Sequence, residues 1–113
     1  MAERHCARDV DQSNTRVISL CMAPEVFTDG AVLKSDVWSL GMSVIEMAEG
    51  RNPFVRMSST EFKKELLNKH PPSFSSSGWS DDLVDFVNRC LVKDVNERAS
   101  VEELLKVSVV VMG

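Results

Sequence analysis

The chain has 113 residues, 43% hydrophobic and 27% charged, a size and composition suited to one globular domain and not to a disordered chain. Its net charge of −4 comes from interspersed residues of both signs, so there is no concentrated basic face for a nucleic-acid partner. The cysteines Cys6, Cys21 and Cys90 are far apart, with no CxxC pair or Cys/His cluster, so buried reduced thiols are expected and a zinc site is not.

Residues 1–22 carry Asp9, Asp11, Ser13, Asn14 and Thr15 without hydrophobic periodicity and read as an irregular segment. No apolar stretch follows Glu3, Arg4, Arg8 and Asp9, so no signal peptide is read there. Ser35 and Asp36 open a run through Val37, Trp38, Leu40, Met42, Val44, Ile45, Met47 and Ala48, apolar on nearly every face at helical spacing. Such a helix is expected to be buried and to form the axis of the fold. Gly50 and Pro53 end it. Ser58 with Glu61 has the form of a capping box for a second helix, with Phe62, Leu66 and Leu67 expected inward and Lys63, Lys64 and Lys69 outward. His70-Pro71-Pro72 stops that helix, and a serine-rich loop runs on to Gly78.

Ser80 caps an amphipathic helix whose apolar face is Leu83, Phe86, Val87, Cys90 and Leu91. A second box, Ser100 with Glu103, opens a last short helix carrying Leu104 and Leu105. Residues 107–113 form an atypical, uncharged, β-prone apolar tail, expected to add to a strand edge or to aggregate if exposed. The longest apolar run, Val109 to Met112, is too short to span a bilayer, which points to a soluble cytoplasmic protein with no membrane partner. The elements together predict an all-α fold with about four main helices.

Four short motifs carry more information than the helices do. Met22-Ala23-Pro24-Glu25-Val26, Ser35-Asp36-Val37-Trp38-Ser39-Leu40-Gly41, Asn52-Pro53-Phe54 and Arg98 occur in an order that resembles the second half of the large lobe of a eukaryotic serine/threonine protein kinase domain. Ile45-Glu46-Met47-Ala48-Glu49-Gly50, Trp79-Ser80-Asp81 and Cys90-Leu91-Val92-Lys93 are most similar to the sterile-20 (germinal-centre) kinases. The resemblance implies an incomplete kinase domain. Residues 1–22 would hold the end of an activation loop and residues 23–106 part of the helical lobe.

Roles follow from the resemblance residue by residue. Glu25 and Arg98 are implied to form a buried ion pair that holds the activation segment on the helical core, and Asp36 to accept amide hydrogens from a catalytic loop. Trp38 is expected to be core. Ser19, Leu20 and Cys21 take the places of a threonine and an aromatic pair that receive the substrate residue after the phospho-acceptor, while Ile18 replaces the family's glycine. Glu46 falls where some kinases read a basic substrate residue. Ser13 and Thr15 sit where activation loops are often phosphorylated.

Other parts of the chemistry have no counterpart in these residues. Phosphoryl transfer needs a glycine-rich phosphate loop, a strand lysine paired with a helix glutamate, a catalytic-loop aspartate and asparagine, and a metal-binding Asp-Phe-Gly. No G-x-G-x-x-G or Asp-Phe-Gly occurs here, and Arg8-Asp9 follows Ala7 where the family has histidine. No residue of this chain is therefore assigned to catalysis, a metal or a cofactor, and ATP and magnesium belong to the intact family. Two roles are expected: a piece of a kinase acting with its missing half on protein substrates, or a non-catalytic module or dominant-negative regulator that binds proteins.

Overall fold

The computed structural model of the protein describes residues 8–10 and 17–112. Two three-residue strands, β1 (Arg8–Val10) and β2 (Val17–Ser19), pair antiparallel with Val10 opposite Val17 and Arg8 opposite Ser19. This departs from the irregular reading of residues 1–22. Three-residue strands are too short to leave a period-2 signal, and pairing depends on a partner that local sequence does not name. A 3-10 turn at Pro24–Phe27 follows, and then four helices: α1 (Leu33–Glu49), α2 (Ser59–Asn68), α3 (Asp81–Cys90) and α4 (Val101–Met112). The helical character is as expected, and among the described residues the short β1–β2 pair is added to it.

Both capping boxes form. Ser58 Oγ accepts from Glu61 N at 3.2 Å while Ser58 N donates to Glu61 Oε1 at 3.0 Å. Ser100 and Glu103 make the same reciprocal pair at 3.1 and 2.8 Å. Ser80 Oγ accepts from Leu83 N at the start of α3. Each box satisfies backbone donors that have no partner within the helix. Gly50 closes α1 in the left-handed region at φ 82°, which an L side chain resists.

α1 begins two residues before the expected Ser35. Val32 has no side-chain oxygen to cap with, so Ser35 Oγ reaches back to accept from Val32 N at 2.9 Å. α4 also runs past the expected end, through Val107 and on to Met112. The tail is helical, which corrects the strand-prone reading. An unpaired strand would leave its backbone groups without partners, whereas extending a nucleated helix satisfies them within the segment, and valine's helix penalty is only about 0.7 kcal/mol or less per residue.

The core gathers on one face of α1: Val37, Trp38, Met42 and Ile45 pack with Phe62 and Leu66 of α2, Val87 and Cys90 of α3, and Leu91. α1 packs chiefly against α3, and Gly41 permits the approach. A Cβ at that position would lie 2.6 Å from Cys90 Cβ and 3.0 Å from Leu91 Cδ2. Phe62 takes edge contacts from Phe54 and Phe27 at centroid distances of 5.0 and 6.0 Å. Burial of α1 is not all-round, because Leu40 and Met47 are exposed, and Leu67 and Leu105 face solvent too. Burial pushes the Cys90 thiol up to about 12, so it is a core hydrophobe and not a nucleophile. Cys21 is disulfide-bonded, not the reduced thiol expected, while Cys90 is, among the described residues, a free buried thiol as expected.

No helix among the described residues is long and apolar enough to cross a membrane.

Candidate functional site

The segment from Ser19 to Phe27 lies across the first half of α1, and side chains from α1 and the loop after it hold its backbone. Ser39 Oγ donates to Cys21 O at 2.8 Å. Asn52 Nδ2 donates to Leu20 O at 3.3 Å, while Asn52 Oδ1 accepts from Phe54 N at 2.8 Å. Asn52 is 1% exposed, so a fully buried amide spends both ends on fixing two loops together. Ser19 Oγ accepts from Cys21 N at 3.2 Å, tightening the turn. Leu20 and Cys21 are buried and contribute a wall to the core, while Ser19 and Met22 are half-buried.

The turn at Pro24–Phe27 brings Glu25 to Arg98, which stands between α3 and α4. Arg98 Nη1 donates to Glu25 Oε2 at 2.8 Å and Nη2 to Oε1 at 2.9 Å, a bidentate fork between residues 73 positions apart. The remaining guanidinium donors reach Val92 O, Lys34 O and Lys93 O. Ser35 Oγ donates to Glu25 Oε2 at 2.7 Å. The guanidinium also lies 5.2 Å from the Trp38 ring, a cation–π contact inside the core. Trp38 is fully buried, as expected of a core residue. Burial alone would raise the Glu25 carboxyl, but hydrogen bonds from Arg98 and Ser35, with the Arg98 charge, hold it below its ordinary value of 4.5. The network ties the segment, the start of α1 and the connection from α3 to α4 into one unit.

The other sequence-derived positions lie apart from this network. Asp36 is exposed in the first turn of α1, beside an apolar groove of about 650 Å³ lined in part by Val32, Leu33, Val37 and Val101. Glu46 is half-buried on α1. Ser13 and Thr15 lie outside the described residues. Among the described residues no three His, Cys, Asp or Glu side chains are grouped closely enough to hold a metal ion.

A second anchor has no counterpart in the sequence reading. Glu49, in the last turn of α1, accepts from the backbone N–H and the hydroxyl of both Ser75 and Ser76 at 2.9 to 3.1 Å. Trp79 Nε1 adds a longer contact at 3.4 Å, and its ring stacks on Phe74 at 5.3 Å. Desolvation opposes ionisation, but the donors of Ser76 and Ser75 prevail and hold Glu49 at about 2. Nothing local marks Glu49, because its partners lie 26 to 30 residues away. Asn52 was within reach, since an asparagine followed by proline favours a side-chain turn onto the amide two residues on.

A family model, the protein kinase domain, matches residues 4–110. The chain belongs to the protein kinase domain family. It is similar to the serine/threonine-protein kinase hippo of Drosophila melanogaster, 41% identical over 87 residues, which are 75% of this chain and 13% of that kinase. It is also similar to the serine/threonine-protein kinase pakF of Dictyostelium discoideum, 42% identical over 99 residues, 85% of this chain and 8% of that kinase. The chain thus spans a small fraction of the length of these kinases. In kinase terms, the described residues are the helical C-terminal part of the domain, with the Glu25–Arg98 fork joining the Pro24–Phe27 turn to the connection between α3 and α4.

Proposed function

We propose that this chain supplies the peptide-binding helical half of a serine/threonine kinase large lobe, and that phosphoryl transfer needs the ATP- and magnesium-binding half of a kinase domain as well. The observation that carries this reading is the fixed segment from Ser19 to Val26. Its backbone is held by Ser39 and Asn52 and its Glu25 side chain by Arg98, although the segment itself has almost no regular structure. Ordering an irregular segment so tightly costs conformational entropy, and preorganised backbone is what a peptide site needs. In this reading half-buried Ser19 borders the pocket for the residue after the acceptor hydroxyl, with buried Leu20 and Cys21 supporting it from the core, and Glu46 reads a basic substrate residue. Asp36 accepts from the catalytic loop of the other half, and Ser13 and Thr15 are regulatory hydroxyls. The setting is the cytoplasm, and the partners are protein substrates and regulatory proteins.

The test measures nucleotide binding with a fluorescent ATP analogue, transfer of labelled phosphate to a serine peptide, and peptide binding by fluorescence polarisation. Protein of this sequence is expected to bind peptide but neither bind ATP nor transfer phosphate, and Asn52→Ala should weaken the peptide complex. Magnesium-dependent transfer by the chain alone would overturn the proposal. An antibody against residues 80–106 would show by intact mass whether the cell makes a longer kinase.

A second reading, a stand-alone protein-binding module or dominant-negative regulator, is favoured by the groove beside Leu33, a residue 86% exposed. Stable co-purification with a full-length kinase, at the mass of this chain, would put it first.

A further inference from the structure

We propose that Ser75 is a phosphorylation site, and that its modification moves the serine-rich loop from the Glu49 carboxylate to the guanidinium groups of Arg51 and Arg56. This stands on the loop and the end of α1, and does not depend on the kinase reading above. A cavity of about 290 Å³ beside the end of α1 is lined by Glu49, Arg51, Asn52, Arg56, Ser73 and Ser75, among others. It therefore sets an acidic residue, two arginines and the exposed Ser75 around one space. Arg51 and Arg56 are exposed, and among the described residues neither is engaged in an ion pair. Ser75, by contrast, is committed to Glu49: its N–H donates to Oε1 and Oε2 at 3.1 and 2.9 Å and its hydroxyl to Oε1 at 3.0 Å.

The chemistry of the change is simple. A separate protein kinase with a nucleoside triphosphate would join Ser75 Oγ to the γ-phosphorus. The bond from that phosphorus to the β–γ bridging oxygen breaks, the diphosphate leaves, and the hydroxyl proton passes to the modifying enzyme's base. The hydroxyl donor to Glu49 is then gone, and a group carrying about −1.5 to −2 charge stands at the oxygen that was in contact with the carboxylate. Like charges at that separation repel, so the latch opens on the Glu49 side. Arginine forks bind phosphate through charge-assisted hydrogen bonds, and both unpaired arginines line the same cavity. Ser76 and Trp79 share the Glu49 carboxylate, so their contacts would be reorganised with it.

The experiment uses the full protein carrying genetically encoded phosphoserine at position 75, titrated by phosphorus NMR. Capture by the arginines is expected to lower the phosphate's second pKa by about half a unit or more from its ordinary value near 6, and the shift should vanish in Arg51→Gln/Arg56→Gln. An unshifted or raised pKa, or a shift that survives loss of both arginines, overturns the proposed switch. Peptide mapping of the protein isolated from its own cells with phosphatase inhibitors tests the site. Phosphate on Ser75 is expected; phosphate on Ser73, Ser76 or Ser77 alone, or none in the loop, overturns the assignment.

Discussion

Arg98 has its donors spent on a carboxylate and on the carbonyls of Val92, Lys34 and Lys93, and Glu25 receives the hydroxyl of Ser35 besides the fork. Buried charges are tolerated on such terms, and removing one member leaves the other without compensation. Glu25→Ala is therefore expected to cost about 3–5 kcal/mol in urea unfolding. The pH dependence has a definite sign. Because the folded carboxyl titrates below its ordinary 4.5, its contribution is complete above that pH and is lost as pH falls through the folded value. Wild-type stability should fall on acidification below about pH 4.5, and Glu25→Gln should flatten that part of the profile. Gly41 is the other residue with no room for change. With Cys90 Cβ 2.6 Å from the position of an added methyl, Gly41→Ala should separate α1 from α3 and lower stability by about 1–3 kcal/mol, measurable by thermal melting.

At the scale of elements, local signals and observed helices agree where the signal is chemical. The Ser58–Glu61 and Ser100–Glu103 boxes, the Ser80 cap and the Gly50 stop were legible as residue pairs, because each interaction closes within three or four positions. Ser58→Ala should accordingly destabilise by about 1 kcal/mol, with the helical signal of α2 fraying first in hydrogen exchange. Where the signal was composition alone, it misled. Val107 to Met112 reads as strand by propensity, yet continues α4, since a helix satisfies its backbone locally and a strand requires a neighbour. The β1–β2 pair shows the converse, since its pairing crosses residues whose sequence says loop. Within the site, Glu25 and Arg98 could be named as partners from the motifs around them. The local turn of Asn52 onto Phe54 was legible, but its hold on Leu20, that of Ser39 on Cys21 and that of Ser35 on Glu25 were not, because those atoms lie 10 to 32 residues away.

For the molecule as a whole, α1 is an axis covered on one side only. Leu33, Val32, Leu40, Met47 and Val101 remain 43–86% exposed, and Leu33, Val32 and Val101 line one groove. Apolar surface gathered in one groove favours association. Protein of this sequence is expected to bind a hydrophobic dye in its folded state and to self-associate as concentration rises. Leu33→Glu should reduce both by light scattering and fluorescence without lowering the melting temperature, since Leu33 contributes little to the core.

Sequence by itself determined the helical class, the helix boundaries that are chemically capped, the kinase family and the charged pair that spans the chain. These depend on short-range hydrogen bonding, on period, or on motifs that can be named in order. Only the tertiary structure decided which face of α1 is covered, that Arg98 serves three carbonyls and an indole face as well as Glu25, and that Glu49 latches the serine loop beside two unpaired arginines. Those depend on distances between residues far apart in the chain, and local propensity carries no information about them.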